Sequence, residues 1–347
     1  MFLKAITQIV GKYGLHLLGS FNFEDVTQEK LNEIFGNFEI WKQEGCAAQM
    51  GYMKRDLRQI FDQLSKKFRS CIVILMPYQP VKYPHSCPGY GKIASYALMK
   101  DYHITFKNLL QKIAREICDN TPERFKVFTD AFPYLEKPFA DLISREAFQG
   151  RNTLLIHKKL GSYFLIGQIL LEFELPNFFE DSSFKKLSCG SCSKCQQKCP
   201  TGALRNNYLD ASKCISYLTI EKKGPFTLDE IIWVNDWIFG CDICQECCPF
   251  NHKLLKSAAA KPGLFKVVKA LSLSEQEFNQ TFKDTPVKRA KFEGFVRNAI
   301  AVAFNQRLQE TKELIKVLAY HPSNTISETA ATVLQNWPSE KLRVIFP

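Results

Sequence analysis

The sequence predicts an α+β multidomain protein, with an N-terminal α/β domain over residues 1–180, a ferredoxin-like domain over 181–255 and a HEAT-like helical module over 256–347. Three observations lead there. Helix-period and strand-period apolar patterns alternate through the first 180 residues, nine of the thirteen cysteines crowd between 189 and 248, and past Pro249 only the helical period continues. A chain of 347 residues is too long for a ferredoxin alone, so two or three packed units are expected, with the cysteine region serving something larger.

In chain order, residues 27–44 form an amphipathic helix, CIVILMPY from Cys71 an apolar strand, residues 101–118 a second helix and FKVF from Phe125 a short strand. TLLI from Thr153 and YFLIGQILLEF from Tyr163 look like two buried strands joined by a turn at Gly161 and Ser162, with Pro176 closing the segment. After Pro249 come helices at 272–282, 287–304, 310–319 and 327–335, punctuated by Pro286, Pro322 and Pro338. Their pairing resembles a small helical-repeat module.

The formal net charge is +11, and residues 251–347 hold fifteen Lys and Arg against eight Asp and Glu, a surplus of seven. The tail is therefore the expected anion-binding part. Lys4, Gly11 and Lys12 interrupt the N-terminal stretch where a secretory signal needs an apolar run. The longest uncharged stretches, 70–81 and 160–171, fall short of the ~18 residues that a spanning helix needs. The expectation is a cytoplasmic protein that makes no membrane contact. Cysteines clustered in a reducing compartment mean metal ligation more often than disulfides.

CGSCSKCQQKCP from Cys189 is an unbroken CxxCxxCxxxCP run, the spacing that holds 4Fe-4S cubanes in two-cluster ferredoxins. CDICQECCP from Cys241 supplies CxxCxxxCP and lacks a first cysteine, which Cys214 replaces. Crossed ligation assigns Cys189, Cys192, Cys195 and Cys248 to one 4Fe-4S cluster and Cys199, Cys214, Cys241 and Cys244 to the other, leaving Cys247 spare. Zinc is the rival, since paired CxxC also suits tetrahedral thiolate, but three cysteines at i, i+3 and i+6 followed by CP favour iron. Cys46, Cys71, Cys87 and Cys118 lack partners at ligand spacing and are expected to be core or stray thiols.

CISYLTIEKKGPF from Cys214 and FGCDICQECCPFN from Phe239 resemble epoxyqueuosine reductase, a cobalamin and iron-sulfur enzyme family of queuosine biosynthesis. The resemblance extends through GYMKRDLRQ around Arg55, KDYH at 100–103, TDAFPYLEKP from Thr129 and GRNTLLIHKKLGSYFLIGQI from Gly150, then downstream through LSLSEQEFNQTFKDTPVKRAKFEGFVRNAIAVAFN. It covers most of the chain. It implies cobalamin in the N-terminal domain near one cluster, electrons arriving from an external donor through the clusters, and reductive loss of the epoxide oxygen from epoxyqueuosine in tRNA.

The departing oxygen needs a proton, and the resemblance points to Asp130 as the acid, because Asp130, Pro133, Leu135 and Glu136 reproduce the family's pattern. Read without the resemblance, Asp130 is a cap for a helix opened by Pro133. His103 is a further candidate for placing substrate or relaying protons. Arg55, Asn152, Thr153, Ser162, Asp210 and Tyr217 stand in the segments implied to contact cobalamin. Arg151 stands where the family more often has Lys, and LISREAFQGRN over 142–152 replaces a glycine-rich approach. In the tail, Lys288, Arg289, Lys291 and Arg297, interleaved with Phe292 and Phe295, form a basic stripe expected to meet tRNA phosphates.

Two other readings remain: a cobalamin-dependent reductive dehalogenase-like enzyme, which the basic tail and missing export signal disfavour, and an iron-sulfur electron carrier. Monomer is the expected state.

Overall fold

The computed structural model describes residues 2–119, 121, 124–130, 134–176, 187–205, 208–258 and 263–337. Pro133 and Pro338 of the sequence reading lie outside them. Packing divides the chain into two units: the first comprises 1–80, 101–210 and 243–258, the second 81–100, 211–242 and 259–347. Both units cross the consecutive segments suggested by the sequence.

In the first unit, Cys71–Met76 is apolar throughout, without alternation, and such a run belongs between two covered faces. Its strand, Ser70–Pro77, lies inside a four-stranded antiparallel sheet ordered His16–Asn22, Ser70–Pro77, Phe164–Leu171, Phe125–Phe128. One face packs on helix Tyr102–Ile117, so closely that a Cβ at Gly167 would lie 2.6 Å from Phe106. The other holds an aromatic core in which Phe61 stacks on Phe139 at 5.0 Å. Helices Gln28–Gln43, Leu57–Lys67 and Glu136–Ile143 close over that face.

The two strands expected around Gly161 both form, as Leu155–His157 and Phe164–Leu171, but in different sheets. Leu155–His157 pairs with Ala147–Gln149, and Phe164–Leu171 pairs in the main sheet. Gly161 (φ +57°) turns the chain where a Cβ would sit 1.9 Å from Asn251 Oδ1.

The second unit holds a three-stranded sheet, Trp237–Phe239, Tyr90–Ile93, Leu264–Lys266, with the first pair parallel and the second antiparallel. Leu264–Lys266 corrects the expectation of helix alone past Pro249; three residues are too few to show a period. The helix expected at 272–282 forms as Glu275–Thr281, started by a capping box between Ser274 and Glu277, and a separate helix, Val267–Ser272, precedes it. Lys291–Asn305 is buried at every position from Gly294 to Ala303, as a helix surrounded by its neighbours must be. Lys312–Leu318 and Asn324–Gln335 complete the helical set. No helix among the described residues is long and apolar enough to cross a membrane.

Candidate functional site

Cys189, Cys192, Cys195 and Cys248 line one cavity in the first unit, about 40 Å³ in volume, backed by Ile156 and Phe250. This is the set that crossed ligation assigned to one cluster. Burial raises the Cys248 thiol, and neighbouring Cys189, Cys195 and Cys192 push it further in the same direction. Four thiols lining one small cavity form a donor set that suits a metal-thiolate site. Cys247, the spare, is driven up to about 11, first by burial and then by Cys195 and Cys248. Of the second set, Cys199 and Cys244 belong to the first unit and Cys214 and Cys241 to the second. Cys46, Cys71, Cys87 and Cys118 are all buried, as core thiols should be.

The cysteine loops are pinned by hydrogen bonds, and two residues suggested for cobalamin contact are among the pins. Asn152 donates to the Cys244 carbonyl at 3.3 Å and accepts from Leu154 N–H at 3.3 Å. The Ser162 hydroxyl accepts from Asn251 Nδ2 (2.9 Å) and Gln245 Nε2 (3.2 Å), while Ser162 N–H donates to Asn251 Oδ1 at 2.8 Å. Both side chains are buried and engaged within the protein, and Asn152 also lines the cysteine cavity. Arg151 also holds the loop: its N–H donates to Cys189 Sγ at 3.4 Å and its guanidinium to the Gly190 carbonyl at 3.0 Å.

Asp130 follows strand Phe125–Phe128 and, among the described residues, caps no helix. Helix Glu136–Ile143 has Leu135 at its N-cap and no side-chain cap bond. Asp130 instead accepts from the Tyr102 hydroxyl through Oδ2 and meets His103 Nε2 through Oδ1 at 3.2 Å. His103 Nδ1 lies 2.7 Å from Asp101 Oδ1, and Asp101 also caps the helix by accepting from His103 N–H at 2.9 Å. Placed between two carboxylates, with the Asp130 hydrogen bond the largest influence, His103 is raised from 6.5 to about 9. It is therefore an imidazolium at neutral pH, with an N–H aimed at Asp130. The complete Asp101–His103–Asp130 row was missed in the sequence, although the DYH string at 101–103 is its visible half.

The remaining candidates are dispersed. Arg55 is exposed and lines a separate cavity of about 360 Å³ with Lys67 and Lys126, whereas Thr153 (φ +60°) follows Asn152 at the cluster loop. Asp210 is half-buried in the first unit, and Tyr217 is buried in the second. In the tail, Lys288 and Lys291 are exposed, and Arg289 is exposed but paired with Glu221 at 2.9 and 3.1 Å. Arg297 is only 1% exposed and bonded to backbone carbonyls, so its expected phosphate contact is corrected. The stripe was legible as charge, but the helix turns Arg297 inward.

His16, Glu146 and His157 also cluster in the first unit. His157 Nδ1 accepts from Lys159 and Leu160 N–H at 3.2 and 3.1 Å, which places its proton on Nε2, facing Glu146 at 3.2 Å. No lone pair is left on His157 for a metal, and that buried side chain is a structural pin.

Residues 188–251 match the family model for a 4Fe-4S double cluster binding domain, and residues 58–131 match that for epoxyqueuosine reductase QueG, DUF1730. The chain is 33% identical to the epoxyqueuosine reductase of Cyclobacterium marinum, with 84% of this chain and 95% of the relative covered. It is 30% identical to that of Pseudomonas aeruginosa, covering 93% and 92%. Its fold is similar to the structure of epoxyqueuosine reductase from Streptococcus thermophilus, at TM-score 0.82 and 24% identity over 98% of this chain and 92% of the other. It is also similar to an epoxyqueuosine reductase crystallised with a tRNA-Tyr epoxyqueuosine-modified stem loop, at TM-score 0.77 and 22% identity over 97% and 89%.

Proposed function

The chain belongs to the epoxyqueuosine reductase family, and from that premise we propose that it reduces epoxyqueuosine to queuosine at the wobble position of tRNA, using cobalamin, two 4Fe-4S clusters and an external electron donor. The observation that supports this most is the convergence of Cys189, Cys192, Cys195 and Cys248 on one cavity in the unit that also holds the Asp130–His103 pair. We place the protein in the cytoplasm as a monomer. Residues 1–180 serve cobalamin and substrate, 181–255 the clusters and 256–347 the tRNA.

The donor set suits these groups. Soft thiolates at ferredoxin spacing suit iron-sulfur clusters. For cobalamin, whose rim carries amides, the relevant observation is three buried side chains with polar atoms that have no hydrogen-bond partner among the described residues: Tyr134 Oη, Glu136 Oε1 and the Gln168 side-chain amide. Gln168 follows Gly167, which abuts Phe106 and Leu110, so by strand alternation it faces the opposite side of the sheet, toward the core that contains Tyr134. An amide-rich ligand would satisfy such atoms, which otherwise cost stability. Arg55, Asn152, Thr153 and Ser162, all in the first unit, are further contacts. Bound cobalamin would supply reduced cobalt for attack on the epoxide, and the clusters would deliver electrons singly.

The chain's own chemistry is proton supply. Asp130, exposed enough to reach a substrate, presents its carboxyl to the departing oxygen. His103 lies beside it as the proton reservoir, held by Asp101, and Tyr102 fixes the other carboxyl oxygen. Expression in a strain that lacks its own epoxyqueuosine reductase tests the proposal: queuosine in tRNA should return, whereas persistent epoxyqueuosine in cells containing folded, cluster-loaded protein would refute it.

A further inference from the structure

Arg297 is buried in the central helix of the tail and holds protein groups in place of a phosphate. All five guanidinium donors are used. Nη1 donates to the Lys222 and Gly224 carbonyls at 2.8 and 2.9 Å, Nη2 to the Leu218 carbonyl at 2.7 Å and to Asn298 Oδ1 at 3.0 Å, and Nε to the same Oδ1 at 3.2 Å. Its plane lies 3.8 Å from the Phe226 ring centre.

By occupying Asn298 Oδ1, Arg297 fixes which way that amide points. Asn298 Nδ2 then donates to the Thr219 carbonyl at 2.7 Å and the Ile238 carbonyl at 2.9 Å. Both acceptors lie on segments that carry a cysteine. Leu218 and Thr219 form the last turn of helix Ile215–Ile220, whose N-cap is Cys214. Ile238 is in strand Trp237–Phe239, and Cys241 follows two residues after its end. A third tie runs directly between the two segments, since Gly240 N–H donates to Thr219 Oγ1 at 2.9 Å. On the far side of Cys241, Asp242 accepts from Ser95 N–H at 2.7 Å. Gly240 (φ +69°) sits where a Cβ would be 2.5 Å from Ala94 Cβ. Thr219, Asn298 and Arg297 are each at most 1% exposed, so water does not compete for these bonds.

We propose that Arg297 and Asn298 are positioning residues for the second iron-sulfur cluster, holding Cys214 and Cys241 at a set spacing, so that the helical tail is part of a redox site as well as an RNA-binding element. The inference rests on the reading of Cys199, Cys214, Cys241 and Cys244 as ligands of one cluster. Cys214, Cys241, Arg297 and Asn298 share the second unit, whereas the first cluster's thiols lie in the first, so the potential of a retained second cluster is the readout that core packing alone would not move.

The test compares full-length wild type, Arg297→Lys and Asn298→Ala after anaerobic reconstitution, reading iron content, EPR spectra and the midpoint potential of each cluster. Cys214→Ser and Cys248→Ser supply reference spectra for loss of the second and first cluster. Wild type should hold about eight iron. Both variants should keep the first cluster's signal, and the second should be lost, leaving about four iron, or kept at a shifted potential. Lysine offers three donors where five are used, so Arg297→Lys should show the larger effect. Should it fail to fold, Asn298→Ala decides alone. Two clusters at unchanged potentials, or parallel loss of both, would overturn the proposal. Zinc in place of iron in the wild type would instead remove the cluster reading on which it rests.

Discussion

Replacing Lys288 and Lys291 together with alanine should flatten the salt dependence of tRNA binding. Both ammonium groups are exposed and make no ion pair among the described residues, so each is available to one phosphate. Counterion release contributes about 0.9 to the log-log slope per duplex phosphate and about 0.7 per single-strand phosphate. The double variant should therefore be shallower by about 1.8 if the contacts fall on the anticodon stem and by about 1.4 if they fall on the loop. Adding Arg289→Ala should contribute less than a further full step, because Glu221 already pairs that guanidinium through two hydrogen bonds. Arg297 should contribute nothing directly, being only 1% exposed. Labelled tRNA titrated at several salt concentrations against both proteins reads the slopes, with iron content as the control for folding. Parallel lines at equal affinity would show the stripe to be a solvated helix face.

Asp130→Asn should retain cluster and cobalamin content while slowing queuosine formation by ~10²-fold or more, the scale of a lost general acid, and near-normal turnover by loaded protein would dismiss it as the essential donor. Because His103 is raised from 6.5 to about 9, its proton is in place throughout that interval and is lost as pH rises through about 9. Turnover should hold across the interval and fall above it, and His103→Gln should lower the plateau and remove that fall; an unchanged profile would dismiss the reservoir. The stability His103 contributes has the same sign, fully present below 6.5 and lost through about 9, read by thermal melts of wild type and variant. Gln168→Leu removes a buried amide that has no partner among the described residues, so the apo protein should melt at the same temperature or higher while cobalamin retention falls; unchanged retention would exclude Gln168 from the cofactor site.

The sequence disclosed the metal chemistry well because cluster ligation is written locally. Cys189, Cys192 and Cys195 need only one loop to converge, and Cys248 was found by the ferredoxin rule and not by proximity. The helices at 28–43 and 102–117 were legible for the same reason, since their period and caps are short-range. Partnering was not legible. Leu155–His157 and Phe164–Leu171 read as strands, yet nothing local states that they enter different sheets. Arg297 shows the same limit. A cation on an RNA-binding helix and a cation satisfying three backbone carbonyls have the same spelling, and only the neighbouring Leu218, Lys222 and Gly224 carbonyls distinguish them. Asn152 and Ser162 stand in the segments that resemble the family, and nothing local in those strings shows that they also bond Cys244, Gln245 and Asn251. The Asp130–His103 contact joins residues 27 positions apart across a strand and a helix, so local pattern showed only its halves.

The central claim is most directly tested by anaerobic incubation of cluster-loaded protein with cobalamin, a low-potential reductant and tRNA bearing epoxyqueuosine, followed by mass analysis of the wobble nucleoside. The nucleoside should become lighter by one oxygen atom, and only when reductant and cobalamin are both present. An unchanged nucleoside after incubation with fully loaded protein would contradict it.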